Sequence, residues 1–285
     1  MAAVGLALCS AVLFGGLSVA LGFAMRRNRD AEMGALVTGL VAIVVCGSAA
    51  AIGADWSGRL WPFLLAGLLA PGASQMLYVV AVRMAGPSRT AVVVGVAPLV
   101  SVTIALIALG EPVSAPLVAG AVLIVFGGLA LVGERVRPES FRTVGMLFAL
   151  ASAVFFATRD NVVRHLATGS HVPPQLAASA TLVSGSAAMA LYLVAARRRS
   201  FAGDLRRALR PFALSGLLWG LSYVSLFEAF YRGRVSIVSP LVATESLFGV
   251  LFAGLLLRRS ELVGRHLVAG ALLIVAGGAL IGGFR

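Results

Sequence analysis

Ten apolar stretches of span length follow one another along the chain, and this repetition decides what it can fold into. They cover residues 3–25, 33–53, 60–82, 90–109, 115–133, 143–166, 174–196, 211–231, 235–257 and 264–283. A hydrocarbon core of about 30 Å takes about 20 helical residues to cross. Backbone polar groups find no water partner in lipid, so each run is expected to be a helix. The gaps between runs are short, and the longest, from Arg197 to Arg210, is too small for a soluble domain. The expected fold class is therefore an all-α integral membrane protein of ten transmembrane helices. Composition excludes the rivals: 12% of residues are charged, against about 25% in soluble domains. Two cysteines, Cys9 and Cys46, cannot build a disulfide scaffold.

The formal net charge of +12 comes entirely from arginine, with no lysine. These arginines sit between apolar runs and form no continuous polar face, so no nucleic-acid partner is expected. Their placement reports orientation instead. The odd-numbered gaps and their edges hold 17 of the 23. By the positive-inside rule those gaps are cytoplasmic and both termini face out. The first run is too long for the apolar part of a signal peptide, and nothing positive precedes it.

The chain also repeats itself. Glu111 to Gly133 aligns with Glu261 to Gly283, and 13 of those 23 positions are identical, Gly120/Gly270 and Gly127/Gly277 among them. Pro62-Phe63 and Gly67-Leu68-Leu69 recur as Pro211-Phe212 and Gly216-Leu217-Leu218. Ser10-Ala11-Val12 with Phe14 recurs as Ser152-Ala153-Val154 with Phe156. Two halves of five spans, 1–138 and 139–285, follow. An odd number of spans per half inverts the second half in the membrane, an arrangement secondary carriers use around one central site.

Further motifs carry a family resemblance. Ala97-Pro98-Leu99, Gly110-Glu111-Pro112 and Gly120 to Gly128 are echoed by Ser239-Pro240-Leu241, Glu261 and Gly270 to Gly278. With Arg232-Gly233-Arg234-Val235-Ser236, they make the chain resemble the EamA-type ten-helix carriers of the drug/metabolite transporter superfamily. The resemblance spans essentially the whole chain and implies export or exchange of a small metabolite, amino-acid-like or drug-like, across the plasma membrane. Carriers of this length are drawn with cytoplasmic termini, the reverse of what the arginines here indicate. The glycine pairs resemble the glycine pair in the last helix of small multidrug carriers, which implies a helix–helix seam within one chain or between two. A monomer or a homodimer through the glycine-bearing helices is thus expected.

Charges inside spans are costly and mark pathways. Asp160 and Arg164 are spaced to pair along one helix face, as are Glu228 and Arg232. Asp55 and Arg59 share a loop, and Glu111 and Glu261 stand where they can cap a following helix. Two charges lack such neighbours: Glu245 in span 9 and Arg159 in span 6. Either they pair across the bundle, or each faces a watered cavity, with Arg159 meeting an anionic substrate group and Glu245 taking and releasing a proton. The matching regions of the first half, around Leu17 and around Gly95 to Ala97, carry no charge, so the second half is expected to hold specificity. Trp219, Ser222 and Tyr223 in span 8, Ser74, Gln75 and Tyr78 in span 3, and Thr244 and Ser246 beside Glu245 can complete the cavity or simply pack. Pro71, Pro98 and Pro240 interrupt their helices. Trp56 and Trp61 fit an interfacial belt.

His165, His171 and His266 lack metal-ligand spacing. The glycine-rich stretches lack the lysine of a phosphate loop. No catalytic cluster, cofactor or metal is therefore expected. The expected partners are the lipid bilayer and a small-molecule substrate. Two other readings stay open: a lipid or polyprenyl-phosphate translocase using Arg232 and Arg234, and a non-transport membrane subunit.

Overall fold

The computed structural model describes residues 2–53, 58–109, 114–132, 141–233, 235–257 and 264–283. Among the described residues every regular element is a helix. Among the described residues, seven helical stretches are long and apolar enough to cross a membrane. Three more, Pro87–Ser101, Ala115–Ala130 and Arg265–Ile281, are apolar but shorter.

The first half contributes α1 (Ala2–Arg27), α2 (Ala31–Gly53), α3 (Trp61–Gly67), α4 (Ser74–Ala85), α5 (Pro87–Val94), α6 (Ala97–Leu109) and α7 (Ala115–Val132). The second contributes α8 (Thr143–Gly169), α9 (Pro174–Ala196), α10 (Phe201–Arg232), α11 (Val235–Val242), α12 (Glu245–Leu256) and α13 (Arg265–Gly283). Starts are marked by local chemistry. Proline opens α5 and α9, where its missing N–H costs nothing. Asp30 accepts a hydrogen bond from the Met33 amide at 3.1 Å and so caps α2.

Three spans are interrupted, and each carries one of the interior prolines noted in the sequence, Pro71, Pro98 and Pro240. Span 3 passes from α3 to α4 through a wider, π-type turn, Leu68–Ala73, in which Ala70 is extended (φ −146°, ψ 115°). A residue preceding proline is pushed out of the helical region, and Pro71 follows it. Span 4 turns at Gly95-Val96, between α5 and α6, and span 9 turns at Ala243-Thr244, between α11 and α12. The Pro98 and Pro240 motifs therefore do not occupy equivalent places: Pro98 lies in the first turn of α6, whereas Pro240 lies inside α11. One expectation about the gaps is corrected. The stretch from Arg197 to Arg210 is mostly helix, because α10 starts at Phe201 and runs 32 residues. Leu, Ala and Arg favour helix and outweigh the single Gly203 near its start.

The halves interlock by exchanging helices. The α1 helix lies against α10, with Ser10 Oγ and Ser222 Oγ 2.9 Å apart. Its repeat-related counterpart α8 lies against α4, where Ser152 donates to the Ser74 carbonyl at 3.0 Å. The glycine seam forms within the chain, between α7 and α13. A Cβ on Gly120 would lie 2.5 Å from the Gly277 carbonyl oxygen, and one on Gly127 would lie 2.7 Å from that of Gly270. The helices run antiparallel, and only glycine allows so close a backbone approach. Outward, α7 shows Val118, Val122, Val125, Phe126 and Leu129. In a bilayer, where lipid tails replace water, exposed apolar side chains of this kind form the lipid-facing surface.

Candidate functional site

The repeat-related residues Phe14 and Phe156 meet edge-to-face, their ring centroids 6.0 Å apart. Tyr78 of α4 closes a triangle with them, 5.2 Å from Phe14 and 6.3 Å from Phe156. Around this meeting point gather most of the polar residues singled out in the sequence.

Arg159 and Asp160 of α8 are buried, at 3% and 7% exposure. Arg159 Nε donates to Asp160 Oδ1 at 2.8 Å, and Nη2 stands 2.6 Å from the same oxygen. Its Nη1 donates to the Tyr223 hydroxyl. The guanidinium carbon lies 5.3 Å from the Phe156 ring centroid and 4.9 Å from that of Tyr223. This corrects the sequence expectation on two counts. Arg159 has a neighbouring partner after all, and Asp160 bonds to it and not to Arg164. Adjacent residues on a helix do not face each other, but the long arginine side chain folds back far enough to reach. Arg164 instead donates to the Phe230 carbonyl at 2.6 Å, tying α8 to α10.

Glu245 is the first residue of α12, at the break in span 9, and is 6% exposed. A helix N-terminus is a favourable seat for a carboxylate. Arg159 and Asp160 lie within electrostatic reach of it, as does Tyr78. Among the described residues it makes no hydrogen bond or ion pair. Its neighbours are committed elsewhere: Thr244 Oγ1 donates to the Leu241 carbonyl at 2.6 Å and Ser246 Oγ to that of Ala243 at 2.9 Å.

Polar atoms without partners line the same region. Gln75, one turn before Tyr78, is fully buried, and neither its amide oxygen nor its nitrogen is hydrogen-bonded. The Tyr78 hydroxyl, the Ser74 hydroxyl and the Trp219 indole N–H are likewise unpaired. Trp219 sits 5.2 Å from Tyr223, which sits 5.3 Å from Phe227, forming an aromatic ladder up α10. Unsatisfied buried groups are expensive unless a ligand or water completes them. The two phenylalanines were missed by charge reasoning, and the weak repeat around Phe14 and Phe156 was their one signal; the break beside Glu245 was signalled by Pro240.

Glu228 belongs elsewhere. It accepts from Arg232 at 2.7 Å, as expected from their spacing, and also from Gln175. Ser222 is spent on α1, donating to the Ser10 carbonyl at 3.0 Å. Trp61 is exposed, as an interfacial residue should be. Asp55, Trp56, Glu111, Glu261 and Arg234 lie outside the described residues.

A second ionic cluster, outside the spans, joins three helix ends. Arg197, after α9, pairs with Asp30 and, at 2.5 Å, with Glu32 at the start of α2, and approaches Asp204 of α10 at 3.8 Å. Hydrogen bonds to Asp30 and Glu32 raise the guanidinium above the usual arginine range against its partial desolvation, so it stays charged.

Together these features define an all-helical, multi-pass membrane protein laid out in two repeats. The family model for the EamA-like transporter family matches residues 1–133 and again 143–283, and the chain belongs to that family. It is a family of transporters of small solutes, not of enzymes. None of the curated proteins compared with this chain matches it. Of the solved structures, a crystal structure described only as that of a protein is 21% identical, with a TM-score of 0.64 over 98% of this chain and 95% of its own. At that identity the likeness speaks for the fold alone.

Proposed function

We propose that this chain is a secondary transporter of a small organic solute, with ten spans in two inverted repeats, 1–138 and 139–285. It works by alternating access around the cluster of Glu245, Arg159, Asp160, Tyr223, Trp219, Gln75 and Tyr78. The observation that carries this reading is the meeting of Phe14 and Phe156, which brings the two repeats together at the same place as the buried charges. Inverted repeats are related by a pseudo-two-fold axis in the membrane plane, so a site between them can open to either side by equivalent motions of the two halves. Glu245 is the coupling residue: a carboxyl without a fixed partner can bind a proton and release it as access changes. Arg159 and Asp160 hold the aromatic wall in place and set the local charge. The protein resides in the plasma membrane with both termini outside.

The test is proton movement in proteoliposomes holding a trapped pH dye, with wild type and Glu245→Gln compared. The solutes added are pooled amino acids, amines and organic acids. The expected result is a solute-dependent pH change in wild type that Glu245→Gln abolishes. Equal movement of labelled solute through both proteins removes the coupling role. No movement of any solute removes the transport reading.

A further inference from the structure

The α10 helix is longer than a membrane crossing needs. Its 32 residues span about 48 Å at 1.5 Å each, against a hydrocarbon core of about 30 Å. The excess lies at its start, where Arg206, Arg207 and Arg210 precede Pro211. Arg198 and Arg199 stand in the turn just before it. One face of the helix points outward throughout. Gly203, Arg206, Arg210, Leu214, Leu217 and Leu221 follow at intervals of three or four residues, and all are exposed. That spacing keeps them on one stripe. The stripe changes chemistry once, from arginine to leucine. The opposite face is buried, with Ala208 and Phe212 in the core. The nearby carboxylates are committed: Asp30 and Glu32 hold Arg197, and Asp204 accepts from Arg207 at 2.7 Å. Among the described residues Arg198, Arg199, Arg206 and Arg210 make no ion pair. The repeat-related helix α3 has the stripe without the charge. At the offset of 149 residues, its exposed Leu65 and Leu68 correspond to Leu214 and Leu217, but Trp61 stands where Arg210 stands. In the sequence, Ser57 and Gly58 take the places of Arg206 and Arg207. The arginines therefore belong to the second half and not to the repeat.

We propose that the start of α10 binds one anionic phospholipid: Arg206 and Arg210 hold its phosphate, and an acyl chain lies along Leu214, Leu217 and Leu221. Residues four apart on a helix stand about 5–6 Å from each other at their β-carbons, so two guanidinium groups reach one phosphate. Guanidinium forks match phosphate oxygens and bind them with charge-assisted hydrogen bonds. Arg198, Arg199 and Arg207 add to the positive field, and such a cluster beside a membrane span attracts anionic headgroups. A zwitterionic headgroup brings its own cation into that field and gains less. The order of the stripe selects a lipid over a soluble phosphate, because the ligand must carry an anion and an apolar tail in line. The site lies on the rim of the molecule and does not depend on the transport reading.

Native mass spectrometry of the detergent-purified full chain tests it, with phosphatidylglycerol and phosphatidylcholine of the same acyl chains titrated in turn. Wild type is expected to take up its first phosphatidylglycerol about fivefold or more tightly than phosphatidylcholine, from about 1 kcal/mol for each arginine near a headgroup. The double variant Arg206→Gln with Arg210→Gln is expected to bring the two lipids to within about twofold of each other. A control that removes the same charge elsewhere, Arg27→Gln with Arg29→Gln, is expected to keep the wild-type preference. Glycerol 3-phosphate at about 10 mM, far above micromolar lipid, is expected to leave the phosphatidylglycerol bound, because it lacks the tail. A wild type without the preference overturns the proposal, and that comparison needs no variant. So does a preference that survives in the α10 double variant, or one that the control loses equally, since the charge would then act diffusely. Displacement by glycerol 3-phosphate overturns the lipid assignment and leaves a soluble-anion site.

Discussion

At Arg159 stability depends on who is left behind. The pair with Asp160 is buried, and removing one partner strands the other where water cannot reach it. We expect Arg159→Met to cost about 3 kcal/mol. Adding Asp160→Asn should recover much of that loss, because a neutral amide needs no countercharge. Thermal unfolding of the purified single and double variants checks both, and a double variant no more stable than the single one would sink the argument. The sequence made these residues visible as charges in apolar runs but not their pairing. Helical spacing joined Asp160 to Arg164; the reach of the arginine side chain joins Asp160 to Arg159. Spacing succeeded at Glu228 and Arg232, where the geometry is the ordinary one along a single helix face.

Among the elements, the α7–α13 seam gives the sharpest contrast. Gly127 and Gly128 are neighbours with opposite surroundings: a Cβ on Gly127 meets backbone at 2.7 Å, and one on Gly128 meets nothing within 4 Å. Gly127→Ala should therefore destabilise by about 1–3 kcal/mol through overpacking. Gly128→Ala should be neutral or stabilise by up to about 1 kcal/mol, since alanine favours helix. Melting temperatures of the two variants, measured side by side, decide the point. The seam was legible because both repeats wrote it in glycine. The breaks in spans 4 and 9 were signalled by Pro98 and Pro240 but not at the residues that turn. Gly95-Val96 and Ala243-Thr244 lie in apolar runs whose hydropathy reads straight through them, and hydropathy measures transfer from water, not backbone continuity.

For the whole molecule, orientation is the open quantity that charge addresses directly. Seventeen of 23 arginines lie on one side of the expected topology, and the Arg197 cluster, joining α2, α9 and α10, belongs to that side. A reporter fused after Arg285 is expected to be active outside the cell; a cytoplasmic signal would reverse the assigned sidedness throughout. The two-repeat layout was readable from recurring segments, while the interlock, each half lending its first span to the other, needed three dimensions to appear. The repeats also differ in one respect that bears on how the protein idles. Span 3 is broken at Ala70, whereas its counterpart α10 runs unbroken. Under the alternating access proposed above, bending one half is then not the same deformation as bending the other, and the two access states are expected to differ in free energy. Such a carrier rests facing one compartment and half-saturates at different concentrations from its two sides, although the gradients alone still fix where net flux stops.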